Sequence, residues 1–330
     1  MKSMLRAAAA ALSLAAAPAL ADYPEKDLQG IIQWGAGGST DTVMRAVTPH
    51  AEKVLGEDVV LTNRSGGVGV IATKFVQAQD ADGYTLLMGA ENPQLYKVMG
   101  LAETDYSDFV PITILARGVP LIVARNDAPF NSFKEFVAYA EANPGKVKVG
   151  STGPGGLPSV VTAMLQSQVK LQLTAVPYDG DGPALTALQG GAIDVMPAVL
   201  GAAIEHVKAG RIKVLALVDT EENPALPGIP PITQDYPGFA TYLPGGPFFG
   251  IFVKEGTPDD AVAKLQAAYG EGAKAEEFQT LLEARGFKPL NLAGAEAEDF
   301  LTRWQSVTSW LVWDAGIAKR SPEEFGIPRP

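Results

Sequence analysis

Short runs rich in Val, Ile and Leu alternate with longer segments of helical spacing along most of this chain, and that alternation leaves few architectures open. The runs "GIIQW", "DVVLTN", "YTLLMGA", "LIVARN", "KVKVGS", "LTAVPY", "AIDVMPAV" and "IKVLALV" have strand length and are bounded by Gly, Pro, Asn or Asp. Between them, 40–55, 68–79, 132–142, 157–168, 182–189 and 198–209 have the length and spacing of crossover helices. Strand, helix, strand in succession builds a mainly parallel sheet with helices on its faces, so the fold class is α/β. No repeat of roughly 20 to 50 residues recurs, which excludes solenoids and propellers.

The first residues follow a different pattern. "MKSMLRAAAAALSLAAAPALA" places Lys2 and Arg6 before an alanine-leucine run and ends in Ala19-Leu20-Ala21, so residues 1–21 are expected to be a secretory signal peptide. The mature chain is then expected to start at Asp22 and to be soluble outside the inner membrane. A chain of 330 residues exceeds what one hydrophobic core usually organises, so two units are expected. After "LALVDTEENPALPGIPPI" the sequence is dense in Pro and Gly as far as Pro247; a strand "FFGIFV", a helix start at Thr257-Pro258-Asp259 and a helical region through Trp310 follow. The middle of the chain, 111–222, is expected to form one lobe, and the two ends, 22–110 plus 223–330, the other. The crossings then fall near Asp108 to Ile112 and Leu217 to Asn223. Two crossings make a hinge, with a ligand cleft between the lobes.

Composition removes several functions. There are no cysteines, so disulfides, thiolate catalysis and Cys-based zinc or iron-sulfur sites are excluded. The net charge of −11 makes nucleic acid an unsuitable partner. No P-loop, no dinucleotide fingerprint and no G-x-S-x-G elbow occurs. The two histidines, His50 and His206, both fall on helical segments and read as surface or packing residues rather than as members of a triad. Neighbouring acids such as Glu276-Glu277 share one environment, which does not suit general acid/base work.

What remains is a set of glycine-rich loops, each directly after a predicted strand: "QWGAGGSTD", "NRSGGVGV", "MGAEN", "GSTGPGGLPS" and "PYDGDGPAL". Glycine lets backbone approach a ligand, and Ser39, Thr40 and Asp41 are strong helix-start residues, so the first loop aims free N–H groups at an anion. Ligands of open α/β sheets lie beyond the carboxyl ends of strands, where all five loops fall. Trp34, Tyr96, Tyr178 and Phe248-Phe249 lie near strand ends and are candidates for pocket walls, whereas Trp304 and Trp310 read as packing residues of the last helix.

The same segments, in order, resemble the periplasmic solute-binding proteins of tripartite tricarboxylate transporters, the Bug receptors. The resemblance starts at Tyr23-Pro24 with Lys26 and takes in the Gly-Gly-Ser-Thr-Asp loop, "TNRSGGVGVIAT", "DGYTLLMGA", "ANPGKVKVGSTGPGG", "YDGDGPALTALQGGAIDVM", "KAGRIKVLAL" and "FFGIFVKEGTPDDAVAKL". It implies a two-lobed periplasmic-binding-protein fold (type II-like), each lobe a mixed sheet flanked by helices. It implies no catalysis, cofactor or metal, and a monomer that delivers a small carboxylate, a C4 to C6 di- or tricarboxylate first, to the large and small membrane subunits of a permease. Carried over, the first jaw is Trp34, Gly35, Ala36, Gly38, Ser39, Thr40 and Asp41, with Ala90, Glu91 and Asn92 opposite. Ser151, Thr152, Gly155, Tyr178 and Gly180 close from the second lobe, with Asp194 a lower-wall residue. Where many relatives have Pro-Phe, this chain has Gln33-Trp34, expected to enlarge one wall and add a polar group; Glu91 is an unusual neighbour for a dianion. An aromatic carboxylate or acidic amino acid is the alternative ligand, and presentation to a sensor kinase the alternative role.

Overall fold

Alternate residues of the buried strands feed two different cores, so each sheet is covered by helices on both faces. The computed structural model describes residues 23–330 apart from Pro244; the expected signal peptide, 1–21, lies outside the described residues. The first part of the chain runs β1 (Leu28–Ile32), α1 (Ser39–Leu55), β2 (Val59–Asn63), α2 (Val70–Gln77), β3 (Thr85–Ala90), α3 (Tyr96–Met99) and β4 (Phe109–Arg117). The middle runs β5 (Pro120–Arg125), α4 (Phe133–Ala142), β6 (Lys148–Ser151), α5 (Leu157–Gln166), β7 (Thr174–Pro177), α6 (Asp181–Gln189), β8 (Val195–Val199), α7 (Leu200–Lys208) and β9 (Ile212–Leu217). The remainder is β10 (Phe248–Lys254), α8 (Asp259–Lys274), α9 (Glu276–Ala284), β11 (Lys288–Leu292) and α10 (Gly294–Asp314).

Two mixed sheets result. The six-stranded sheet has the order β11-β4-β10-β3-β1-β2, and the five-stranded sheet β7-β6-β8-β5-β9. Strand β1 is parallel to β2 and β3, while β10 is antiparallel to both β3 and β4. On β3, Leu86 and Met88 join the core beneath α1 and α8, whereas Leu87 joins the core with Ala72 and Val76 of α2 and Leu301 of α10. In the second sheet, Ile122 and Ala124 of β5 face Phe133, Phe136 and Met164, and Leu121 and Val123 face Leu185, Leu188 and Ile204. Helix α1 stays on its sheet because Val43, Met44, Val47, Ala51 and Leu55 form one buried stripe, and it stops at Gly56, whose φ of 83° closes the last turn.

Both passages between the sheets differ from the expected positions. The span Asp108 to Ile112 lies at and within the start of β4, which pairs with β10 and β11 as far as Arg117, so the chain leaves the six-stranded sheet at Gly118-Val119. Pro111 conceals this strand in the sequence, because proline cannot donate to a ladder. It is accommodated at an irregularity, where Phe252 pairs with Pro111 beside a register shift. The return passage also comes later than Leu217 to Asn223. Leu217 bridges Pro231, and the rings of Tyr236 and Phe239 pack on Phe133 of α4 with centroids 5.3 and 6.5 Å away, so this segment remains with the five-stranded sheet. Gly245 to Pro247 then lead back to β10, and the two passages touch where the Gly118 amide donates to the Pro247 carbonyl at 2.8 Å.

Candidate functional site

Helices α1, α5 and α6 each follow a parallel strand, and all three begin at the same place. Gly38, Ser39 and Thr40 from α1, Leu157 from α5, and Gly180 and Asp181 at the start of α6 line one cavity of about 40 Å³ between the sheets. None of the three helix starts is capped by a side chain. Their first-turn amides therefore present the positive ends of three helix dipoles to one small space, an arrangement suited to an anion. Ala90 at the end of β3 and Glu91 after it, Thr152 after β6, Val199 at the end of β8, and Trp34, Pro247 and Phe249 complete the wall. The volume holds about three waters.

The lobes already touch around this cavity. The Gly35 amide donates to the Asp179 carbonyl at 3.3 Å, and Asn92 Nδ2 donates to the Gly155 carbonyl at 3.2 Å. Three polar atoms at the cleft are fully enclosed without a partner: Ser39 Oγ, Glu91 Oε2 and Asn92 Oδ1. Burial pushes the Glu91 carboxyl up to about 8, with a hydrogen bond from its own backbone opposing the shift, Asp181 adding to it and the bond from Asn92 opposing it again. Asp181 is pushed up to about 7 by burial, against a hydrogen bond from the Val199 backbone. A strand-to-helix site built from amides, hydroxyls and a pair of acids is equipped to hold a small molecule.

A model of the tripartite tricarboxylate transporter family receptor matches residues 43–308. The chain belongs to this family. It is 29% identical over 307 residues to the BugT protein of Bordetella pertussis, covering 88% of this chain and 91% of that protein. The solved structure of the periplasmic binding protein BugD superimposes with a TM-score of 0.85 at 27% identity, covering 90% of this chain and all of BugD. MatC from Rhodopseudomonas palustris, solved with bound malate, gives a TM-score of 0.78 at 28% identity, covering 87% of this chain and all of MatC. The chain is thus a solute-binding receptor with the two-lobed periplasmic-binding-protein fold, and its role is binding rather than catalysis.

The residues singled out in the receptor's sequence fall into three groups. Trp34, Gly38, Ser39, Thr40, Ala90, Glu91, Thr152 and Gly180 border the cavity. A second group shapes the loops from behind. Asp41 accepts from Gly37 N at 3.0 Å, Arg45 Nε at 2.8 Å and Asn63 Nδ2 at 2.9 Å, so it braces the first loop rather than facing a ligand. Ser151 accepts through Oγ from Gly153 N and through its carbonyl from Tyr178 N. Gly35, Ala36, Asn92 and Gly155 sit where the lobes meet, and Tyr178 packs on the second sheet's core. Asp194 stands alone as a misplacement: it precedes β8, at the opposite end of that strand from Val199, where it pairs with Arg125 Nε at 2.9 Å and accepts from Lys148 N.

Gln33 also differs from its expected place. It is fully buried and contributes nothing to the wall; Nε2 donates to Tyr96 OH at 2.8 Å and Oε1 accepts from Ala90 N at 2.8 Å, tying the end of β1 to the end of β3. Reading the sequence missed Asp181, Leu157, Val199 and Pro247. Asp181 had a legible signal, since it directly follows Gly180 at the helix start, whereas Pro247 enters only through the hinge. A larger chamber of about 690 Å³ lies behind the cavity, between α5, β11, α10 and Gly245 to Pro247. Glu91, Leu157 and Pro247 border both spaces. Trp304, expected to be a packing residue, lines this chamber and donates through Nε1 to the Gly246 carbonyl at 3.0 Å.

Proposed function

We propose that the receptor captures a small carboxylate in the cleft, in the periplasm, and delivers it to the large and small membrane subunits of a tripartite tricarboxylate-type permease. The observation that carries this reading is the convergence of three helix starts, none capped by a side chain, on one cavity between the lobes. Malate on MatC, a relative of the same fold, supports a small carboxylate as the ligand class. The C4 to C6 di- or tricarboxylate expected from the family suits the amide end of the cavity; Glu91 and Asp181 weigh against placing a second anion beside them.

Capture starts on the first jaw, around Ser39 and Thr40, while the lobes are apart. Closure then brings Thr152 and the start of α6 onto the rest of the ligand, and the ligand favours closure only through those added contacts. Neutral donors serve an opening cleft better than an arginine would, because they leave no unpaired charge when the lobes separate. A thermal-shift panel of carboxylates tests the reading: a specific ligand stabilises the fold by about 2.7 kcal/mol at 100 times its dissociation constant. A panel in which sugars or cations raise Tm and no carboxylate does would overturn it. Uptake by membrane vesicles that carry the permease, with and without the receptor, tests delivery; equal uptake would assign the closed form to a sensor instead.

A further inference from the structure

The charges of the cavity do not balance. Its anion-attracting end carries only the partial positive charge of helix starts, while Glu91 and Asp181 contribute two carboxyls to its lining and, among the described residues, no Lys, Arg or His lines it. Glu91 is only 4% exposed; Oε1 accepts from Asn92 at 3.3 Å, and Oε2 is enclosed without any partner. An unpaired carboxylate oxygen in such a place is strongly disfavoured, and a second acid nearby makes it more so.

Glu91 has the bonds of its own backbone and of Asn92 but no cationic partner among the described residues. Asp181 faces it from α6, and the hydroxyls of Tyr96 and Tyr106, which are near it, are committed to the carbonyls of Val68 and Ala90. On the chamber side stand Arg117, Glu296, Asp299 and Arg303. Arg117 is engaged with Asp219 and the Gly245 carbonyl, and among the described residues no ion pair joins Glu91 to Arg303. A ligand that brings a cation would therefore favour the ionised form of the two acids.

We infer that the ligand is an amino- or ammonio-carboxylate, its carboxylate on the start of α1 and its positively charged nitrogen against Glu91 and Asp181. This rests on the reading of the cleft as a carboxylate site and specifies the ligand's other end. It follows that binding favours the ionised acids. The free receptor holds protons on them near neutral pH, so capture of such a ligand releases protons and tightens as pH rises through the range in which the acids ionise.

Calorimetric titration with matched ligands tests this. β-Alanine, succinate and butyrate differ only in ending in ammonium, carboxylate or methyl; γ-aminobutyrate, glutarate and pentanoate repeat the set one methylene longer. At about pH 8 the ammonium member of at least one set is expected to bind tenfold or more tightly than its dicarboxylate, an advantage that shrinks as pH falls to about 5. E91Q and D181N, each verified by a cooperative melt, are expected to lose that advantage, so that the ammonium member and its methyl counterpart bind each variant within a few-fold of one another. A dicarboxylate that binds as tightly as the ammonium member at about pH 8, or that tightens as pH falls, overturns this inference and leaves the carboxylate reading intact, because the acids then act as protonated donors. Binding by no member of either set overturns both.

Discussion

The loops that reach the cleft from the six-stranded sheet are tied down by side chains, whereas those opposite are held mainly by their own backbone. On the first side, Asp41 gathers Gly37, Arg45 and Asn63, Asn63 Nδ2 also donates to the Trp34 carbonyl at 2.8 Å, and Gln33 joins Ala90 to Tyr96. On the second, Gly153 N to Ser151 Oγ at 3.1 Å is a side-chain tie within the lobe, Asn92 Nδ2 reaches the Gly155 carbonyl from the opposite jaw, and backbone bonds such as Tyr178 N to the Ser151 carbonyl at 2.7 Å and Gly156 N to the Gly153 carbonyl at 3.1 Å do the rest among the described residues. A jaw whose donors are fixed on folding has little ordering left to do when a ligand arrives, while a jaw of glycine turns can adapt and then order. The asymmetry suits a receptor that receives on one side and closes from the other.

The largest expected effect breaks the braced side. Asp41→Ala leaves Asn63, Gly37 and Arg45 without their shared acceptor in a buried loop, and urea unfolding should show a loss of about 3 kcal/mol. Carboxylate affinity should fall at least tenfold with it, since the amides at Gly38 to Thr40 lose their support. Ser151→Ala, the matching change opposite, should cost within about 1 kcal/mol. Equal losses from the two variants would erase the contrast between the jaws.

A smaller effect, of opposite sign, comes from Glu91 on the braced side. The folded chain holds this carboxyl at about 8, above its ordinary value of 4.5, so folded protein keeps a proton that unfolded protein gives up. Stability therefore falls as pH rises between those values. Glu91→Gln removes the dependence and should stabilise the receptor by about 2 kcal/mol near pH 8 while changing little near pH 4. Unfolding titrations across that range check it, and a variant less stable at the upper end would show that the charged form has a partner in the protein.

The parallel strands, the helices between them and the glycine loops were legible because hydrophobic period, turn residues and helix starts are local signals. The cavity-lining Ser39, Thr40, Glu91 and Thr152 were legible for the same reason, each following a strand in a glycine-rich loop. Sheet membership was not, because it depends on partners far along the chain: Pro111 hid β4, and nothing local in "FVPITILAR" says that β3, and not β5, is its sheet-mate. Asp194 was misplaced because a strand's two ends are chemically alike in sequence, yet only the carboxyl end meets the cleft. Gln33 and Asp41 sit where a ligand-facing residue would, and only their hydrogen-bond partners, 63 and 22 residues away in sequence at the farthest, reveal them as braces.

The smallest effect isolates closure from folding. Gly182, in the first turn of α6, lies so near the other lobe that a Cβ there would come within 2.8 Å of the Ala36 carbonyl oxygen and 3.4 Å of Gly37 C. Both of those contacts belong to the braced jaw, so they exist only when the lobes are together. Gly182→Val should therefore leave unfolding free energy within about 0.5 kcal/mol of the parent, because an exchange near a helix start costs little. Ligand affinity should drop about tenfold, or about 1.4 kcal/mol, since the closed contacts are the ones the bulkier residue prevents. Small-angle scattering adds a structural readout: ligand should contract the parent receptor and leave the variant's radius of gyration unchanged. A variant that binds and contracts like the parent would mean that the ligand-bound lobes stay farther apart than this arrangement of Ala36 against Gly182, and the adaptable jaw would then be reading its ligand at longer range, through water rather than through direct contact.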